Sequence, residues 1–215
     1  MKVLLLGVDI NRSSCDPALY FEEGSGEYNS SLYLDETAAR IADFTNEVRK
    51  DCNKVAWTLQ HVTTSADFDP EPMSAEERAF HRVMPFENED AILPKTQMSA
   101  YPEHEEFFDK LKEEGVDTVV LTGFYASKCI YWTMDSLLDN GFKVIVPTDL
   151  IADFAPNHPM ASFDDFMNQV YHGQLVFTDS ERVAEMILTP EEDRKPPVAT
   201  YTWSDINNLH YGPGS

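Results

Sequence analysis

The chain has little of what would tie it to export, membranes or nucleic acid. It carries three cysteines in 215 residues, and Cys15, Cys52 and Cys129 cannot all pair with one another. Their number and spacing suggest neither a disulfide framework nor a zinc cluster, so a reducing, cytoplasmic setting is expected. Long apolar runs are missing: no stretch approaches the ~20 residues of a membrane-spanning helix. The run from Val3 to Val8 is too short for a secretory leader and leads into Asp9, so none is expected. Positive charge is scarce, with 16 Lys and Arg against 38 Asp and Glu and a net charge of -22. Such a surface repels phosphate backbones and anionic lipid, which argues against nucleic acid and membrane as partners. Internal repeats and low-complexity tracts are absent as well.

What is present is a core. Hydrophobic residues make up 42% of the chain, enough for one domain, expected over residues 1–188. Lys2–Asp9 is an apolar run closed by a charge, the pattern of a buried parallel strand. Residues 10–31 read as a long polar loop, and Asp35 as the cap of a helix reaching about Lys50. Val55–His61 and Ala91–Leu93 read as strands, with a short helix near Ser74–His81 where Ser74 and Glu77 fit a capping box. Pro102–Glu114 is helical up to Gly115, Thr118–Phe124 is a strand, Ala126–Asn140 a helix stopped by Gly141, and Lys143–Pro147 a strand. Phe163–Tyr171 reads as helix, Leu175–Thr178 as strand and Asp179–Leu188 as helix. Strands alternating with helices imply a three-layer α/β fold, a six-stranded parallel sheet covered on both faces. Residues 189–215, with Pro190, Pro196, Pro197 and Pro213, are expected to be a tail lying over the surface or a neighbouring subunit.

In such sheets the site lies beyond the carboxyl ends of the strands. Asp9 ends the first strand, Lys95 follows the third, and Cys129 lies just past the fourth at the start of a helix. An acid, an amine and a thiol are thereby brought to one edge. A helix N-terminus and a nearby ammonium favour a thiolate at Cys129. Asp9 can take the thiol proton and return it to a leaving amine, while Lys95 holds both groups. Each residue alone also has a structural reading, a packed thiol or a charge marking a strand end. Their shared position is what favours chemistry.

At these residues the chain resembles the isochorismatase-like cysteine hydrolases, a family of nicotinamidases, N-carbamoylsarcosine amidases and isochorismatases. The apolar strand ending in Asp9-Ile10-Asn11 is similar to the family's Asp-x-Gln. Lys95-Thr96-Gln97-Met98-Ser99-Ala100-Tyr101 resembles its Lys-x-x-x-Ser-Ala-Phe. Leu121-Thr122-Gly123-Phe124-Tyr125-Ala126-Ser127-Lys128-Cys129-Ile130 is similar to its Leu-x-Gly-Val-x-Thr-x-x-Cys-Val, and Thr133, Gly141-Phe142, Val144 and Asp149 continue the match. The likeness covers residues 2–188. It implies an Asp9–Lys95–Cys129 triad, a cis peptide before Tyr125, and an oxyanion hole from the N–H groups of Tyr125 and Cys129.

Departures concern substrate. Asn11 stands where the family has Gln, and Tyr125 where a small residue is common. Metal-binding nicotinamidases carry Asp-x-His near the end of the second strand; here Leu59-Gln60-His61 lacks the acid. No metal and no cofactor are therefore expected, and His61 and His81 read as solvated or core side chains. Gln60 is similar instead to the Thr-x-Gln of isochorismatase-type members. Asn11, Trp57, Gln60, Phe124 and Tyr125 are candidate pocket residues, with Trp132 and Phe154 as further aromatics. The resemblance implies a small-molecule substrate and a homo-oligomer, dimer or tetramer. The leading expectation is cleavage of a C–N bond in a small amide or carbamoyl compound through a Cys129 acyl-enzyme. Isochorismate-type enol-ether hydrolysis on the same site, and a non-catalytic interaction protein, are the alternatives.

Overall fold

The structure is a computed structural model in which residues 1–62, 71–153 and 173–200 are described. Among the described residues, seven strands form one sheet: β1 (Lys2–Val8), β2 (Lys54–Gln60), β3 (Ala91–Lys95), β4 (Val116–Phe124), β5 (Lys143–Pro147), β6 (Ile151–Ala152) and β7 (Leu175–Thr178). The order is β3-β2-β1-β4-β5-β7, and every pairing is parallel. Six strands make the expected path. The seventh, two-residue β6, pairs with the last two residues of β4.

The alternation of side chains along β1 and β4 builds two cores. Leu4, Leu6, Val8, Val119 and Leu121 point to one face. There they meet Phe108 and Leu111 of one helix (Glu105–Glu113) and Met134 and Leu137 of another (Tyr131–Asp139). Val3, Leu5 and Val120 point to the other face. Leu34, Ala38, Ile41 and Phe44 of the long helix Gly26–Val48 cover them, with Val183 and Ile187 of Ser180–Leu188. A central strand buried on both sides needs apolar residues at every position, which is why β1 reads as an unbroken run.

Helices are numbered α1 (Arg12–Cys15), α2 (Gly26–Val48), α3 (Ala75–Arg78), α4 (Glu105–Glu113), α5 (Tyr131–Asp139) and α6 (Ser180–Leu188). Residues 10–31 are not the expected loop. They hold α1, a 3-10 turn at Pro17–Leu19 and the first turn of α2. Ser25 caps α2 by accepting from the Tyr28 N–H, whereas Asp35, the expected cap, lies inside the helix and binds Arg82 and His81. The Ser74–Glu77 capping box is present at the start of α3. The helix expected from Pro102 begins at Glu105, because Tyr101 and His104 first close a turn. The helix expected over residues 163–171 lies outside the described residues.

Beyond α6, a 3-10 turn at Glu191–Asp193 is held by the Met1 amino group and by Asn53, and Arg194 donates to the carbonyls of Asp51 and Ile187. Among the described residues, no helix is long and apolar enough to cross a membrane.

Two glycines let the strands reach the site. A Cβ on Gly7 would lie 2.4 Å from the Trp57 ring, and one on Gly123 would lie 2.1 Å from the Val8 carbonyl oxygen. Gly123 also has φ +117, a conformation that L side chains rarely adopt. Val8 and Gly123 are register partners, so this contact sets how closely the ends of β1 and β4 approach. Gly123→Ala is expected to destabilise the fold by about 3 kcal/mol, combining overpacking with backbone strain. Urea unfolding with an unchanged m-value and a lowered midpoint would be the signature.

Candidate active site

Because β1, β3 and β4 are parallel, their carboxyl ends share one edge. Asp9 follows β1 directly and turns there with φ +51. Lys95 is the last residue of β3. Cys129 lies in a π turn, Ala126–Ile130, between β4 and α5. The sulfur was expected at the start of a helix over residues 126–140; the π turn precedes α5 instead, which begins at Tyr131. The extra backbone residue in that turn is accommodated by the Tyr125 carbonyl, which accepts from the N–H groups of Lys128 and Ile130. The Phe124–Tyr125 peptide is cis.

The three side chains meet. Lys95 Nζ is 2.8 Å from Asp9 Oδ2 and donates to Cys129 Sγ at 3.3 Å. All are enclosed, with Asp9 2%, Lys95 0% and Cys129 5% exposed. Charges this deep are tolerated only when paired and hydrogen-bonded, and both conditions hold. Thr58 Oγ1 donates to Asp9 Oδ1 at 2.7 Å and accepts from the Asp9 N–H at 3.1 Å. The Lys95 ammonium also donates to Gln60 Oε1 and to the Gln97 carbonyl at 3.0 Å.

Burial pushes the Cys129 thiol up to about 12; the Asp9 charge adds to this and Lys95 opposes it. For Lys95 burial pulls downward, but Asp9 and the Cys129 sulfur outweigh it, and the ammonium ends above its ordinary value. The upward shift favours the protonated thiol near neutral pH, beside the Lys95–Asp9 contact.

A cavity of about 400 Å³ opens beside the π turn. Its walls include Ser14, Tyr20, Phe21 and Leu34 on one side and Tyr125 and Lys128 on the other. Of the expected pocket residues that are described, only Tyr125 borders it, and Asp9, Lys95 and Cys129 are not among its lining. Trp57 and Phe124 are core: they face α2, and the Trp57 indole N–H is spent on Asp90 at 2.7 Å. Asn11 is buried and braces α1 against α3, donating to Ser13 and the Glu77 carbonyl and accepting from Ser14. Gln60 turns to Lys95 instead of the cavity. Trp132 is half exposed on α5, and Phe154 lies outside the described residues. Among the described residues, no group of three or more His, Cys, Asp or Glu is placed to hold a metal ion.

Sequence reasoning missed Thr58. It had a signal: Thr58 and Gln60 are polar residues two apart near the carboxyl end of an apolar strand, and so share a face. The Ser13–Phe21 wall lies within residues 10–31, a stretch where the sequence places part of the pocket without singling out these residues.

A buried ion pair poised on a cysteine at the carboxyl edge of a parallel sheet defines a class, and comparison with known proteins gives its family. The chain belongs to the isochorismatase family, whose isochorismatase domain matches residues 4–178. Over 100 residues it is 30% identical to an N-carbamoylsarcosine amidase from an Arthrobacter species, an alignment covering 46% of this chain and 36% of the amidase. The match thus spans just over a third of that relative's length. An isochorismatase family protein from Burkholderia thailandensis superposes with a TM-score of 0.64 at 18% identity, covering 87% of this chain and 96% of that one. For N-carbamoylsarcosine amidase from Thermoplasma acidophilum the TM-score is 0.58 at 21% identity, with 84% and 98% covered. At these identities the structural matches speak for the fold.

The buried thiol gives stability a pH signature. Its folded value of about 12 lies above the ordinary 9.0, so the stabilisation is complete below the lower value and is lost as pH rises through the interval. Relative to Cys129→Ala, the unsubstituted protein is expected to lose on the order of 1 kcal/mol per pH unit across it. Urea unfolding of both proteins from about pH 8 to about pH 11 measures the difference.

Proposed function

We propose that the protein is a cysteine hydrolase that cleaves the C–N bond of a small amide or carbamoyl compound. The observation that carries the reading is the convergence of Asp9, Lys95 and Cys129, with 2.8 and 3.3 Å between the ammonium and its two partners. Substrate entry brings a carbonyl carbon to the sulfur. The Cys129 proton passes to Asp9 as the S–C bond forms, and the carbonyl electrons move onto oxygen. The N–H groups of Tyr125 and Cys129 receive that oxyanion. Collapse breaks the C–N bond, and Asp9 returns its proton to the leaving nitrogen. Water then attacks the thioester with Asp9 as base, releasing the acid and restoring the thiol. Lys95 stays charged throughout and stabilises whichever neighbour is anionic.

The cavity beside Tyr125 is the place for the rest of the substrate. It combines aromatic and aliphatic walls with hydroxyl groups, the carboxylates of Asp16 and Asp153 and Lys128, apolar surface with a few polar groups as in small-molecule sites. Membership of the isochorismatase family and the partial likeness to an amidase support the same reading. Isochorismate-type cleavage is less favoured. Its support in the sequence was Gln60, and that amide is committed to Lys95 and to the Val62 carbonyl.

Ammonia release from a panel of small amides and N-carbamoyl compounds tests the proposal. Cys129→Ala is expected to lower kcat at least about 1,000-fold on any substrate found, with Asp9→Asn close behind. Unaltered turnover by Cys129→Ala, or a product formed without ammonia, would overturn it. Filling the cavity with Ser14→Phe is expected to raise KM about tenfold or more while leaving the pH dependence of kcat in place.

A further inference from the structure

The Lys95 ammonium has three protons and four acceptors around it. They are Asp9 Oδ2 at 2.8 Å, Gln60 Oε1, the Gln97 carbonyl at 3.0 Å and Cys129 Sγ at 3.3 Å. Three are oxygens and the fourth is sulfur, the weakest acceptor of the set while it carries its proton. In the resting site the three oxygens can satisfy the ammonium completely. A thiolate changes that order, since it needs an N–H of its own from Lys95, the one cation within reach among the described residues.

We infer that Gln60 is a positioning residue that sets how readily Cys129 ionises, by competing with the sulfur for a proton of Lys95. The other two oxygens cannot be traded. Asp9 is the acceptor of the thiol proton, and the Gln97 carbonyl belongs to the backbone just past Lys95 itself. Of the three oxygens, that of Gln60 alone comes from a neutral side chain. Its amide is oriented for this role: Nε2 donates to the Val62 carbonyl at 3.0 Å, which leaves Oε1 to face the ammonium. Lysine has no lone pair to offer, so the opposite orientation would set donor against donor. Gln60 is buried, and its backbone is fixed by pairing with Lys95 in the β2–β3 register.

Among the described residues, the charged and titratable groups acting on the sulfur are Asp9 from the end of β1 and Lys95 from the end of β3. Gln60 adds no charge and acts only through Lys95. Burial and the Asp9 charge hold the resting thiol protonated; Gln60 adds to this by sharing the ammonium, and movement of its amide when the site fills would strengthen the N–H contact Lys95 already makes to the sulfur. That catalytic consequence rests on the proposed hydrolase reading. The ionisation itself does not, and can be measured with no substrate present.

The test is the rate at which Cys129 is alkylated near neutral pH, read at its own peptide by mass spectrometry. Gln60→Met keeps the length of the side chain but removes the amide. It is expected to speed alkylation about tenfold, one unit in the ionisation of the thiol. The gain should be equal for iodoacetamide and for a bulkier maleimide, because it reflects the anion fraction and not entry. Gln60→Glu keeps the shape and places a stronger acceptor at the same point. It is expected to slow alkylation about tenfold or more, and it serves alone if the methionine variant does not fold. An unchanged or slower rate in Gln60→Met, a gain confined to the bulkier reagent, or an unchanged rate in Gln60→Glu would overturn the inference. Failure to find a hydrolysed amide would leave these rates as they are, so the two proposals fail separately.

Discussion

The ion pair between Asp9 and Lys95 is the constraint around which the site is arranged. Both groups are fully enclosed, and a lone charge at that depth would cost several kcal/mol. They must therefore be delivered together. β1 delivers one and β3 the other, although β2 separates these strands in the sheet. β2 supplies the intervening contacts, Thr58 to the carboxylate and Gln60 to the ammonium. The pair thus spans three strands and ties their carboxyl ends into one rigid edge. Cys129 arrives from the other side, on the turn after β4.

The rest of the fold supplies the precision that such a pair requires. The apolar run Val3–Val8 of β1 locks its register from both faces, so that Asp9 has little freedom to slide. Gly123 allows β4 to press against the Val8 carbonyl just before the chain turns towards Cys129. Neither feature touches the reacting atoms. Each fixes the position of a strand end, and the strand ends place the side chains.

Much of this was legible in the chain. Unbroken apolar runs gave β1 and β4, since a strand buried on both faces carries a period-free pattern. The charge closing β1 and the lysine at the end of the short third strand gave the edge where Asp9 and Lys95 stand. Less was legible where polar residues serve tertiary partners instead of local ones. Asp35 has the chemistry of a helix cap but is used against Arg82 and His81, and so the cap of α2 was placed ten residues late, at Asp35 instead of Ser25. Trp57 has the chemistry of a pocket wall but is covered by α2. Asn11 and Gln60 were expected to face a ligand; both are consumed by bracing, the first between two short helices and the second at the ammonium. Side-chain type alone does not separate a group that waits for a ligand from one already spent on its neighbours.

The account stands or falls with the coupling of Asp9 to Lys95. A double-mutant cycle on unfolding free energy, using Asp9→Asn, Lys95→Met and the pair, measures it directly. Each single change strands a buried charge, whereas the double change removes both, so a coupling of about 3 kcal/mol is predicted, with the double variant no less stable than either single one. Additive losses would mean that the two groups do not depend on each other, and would contradict the site described above.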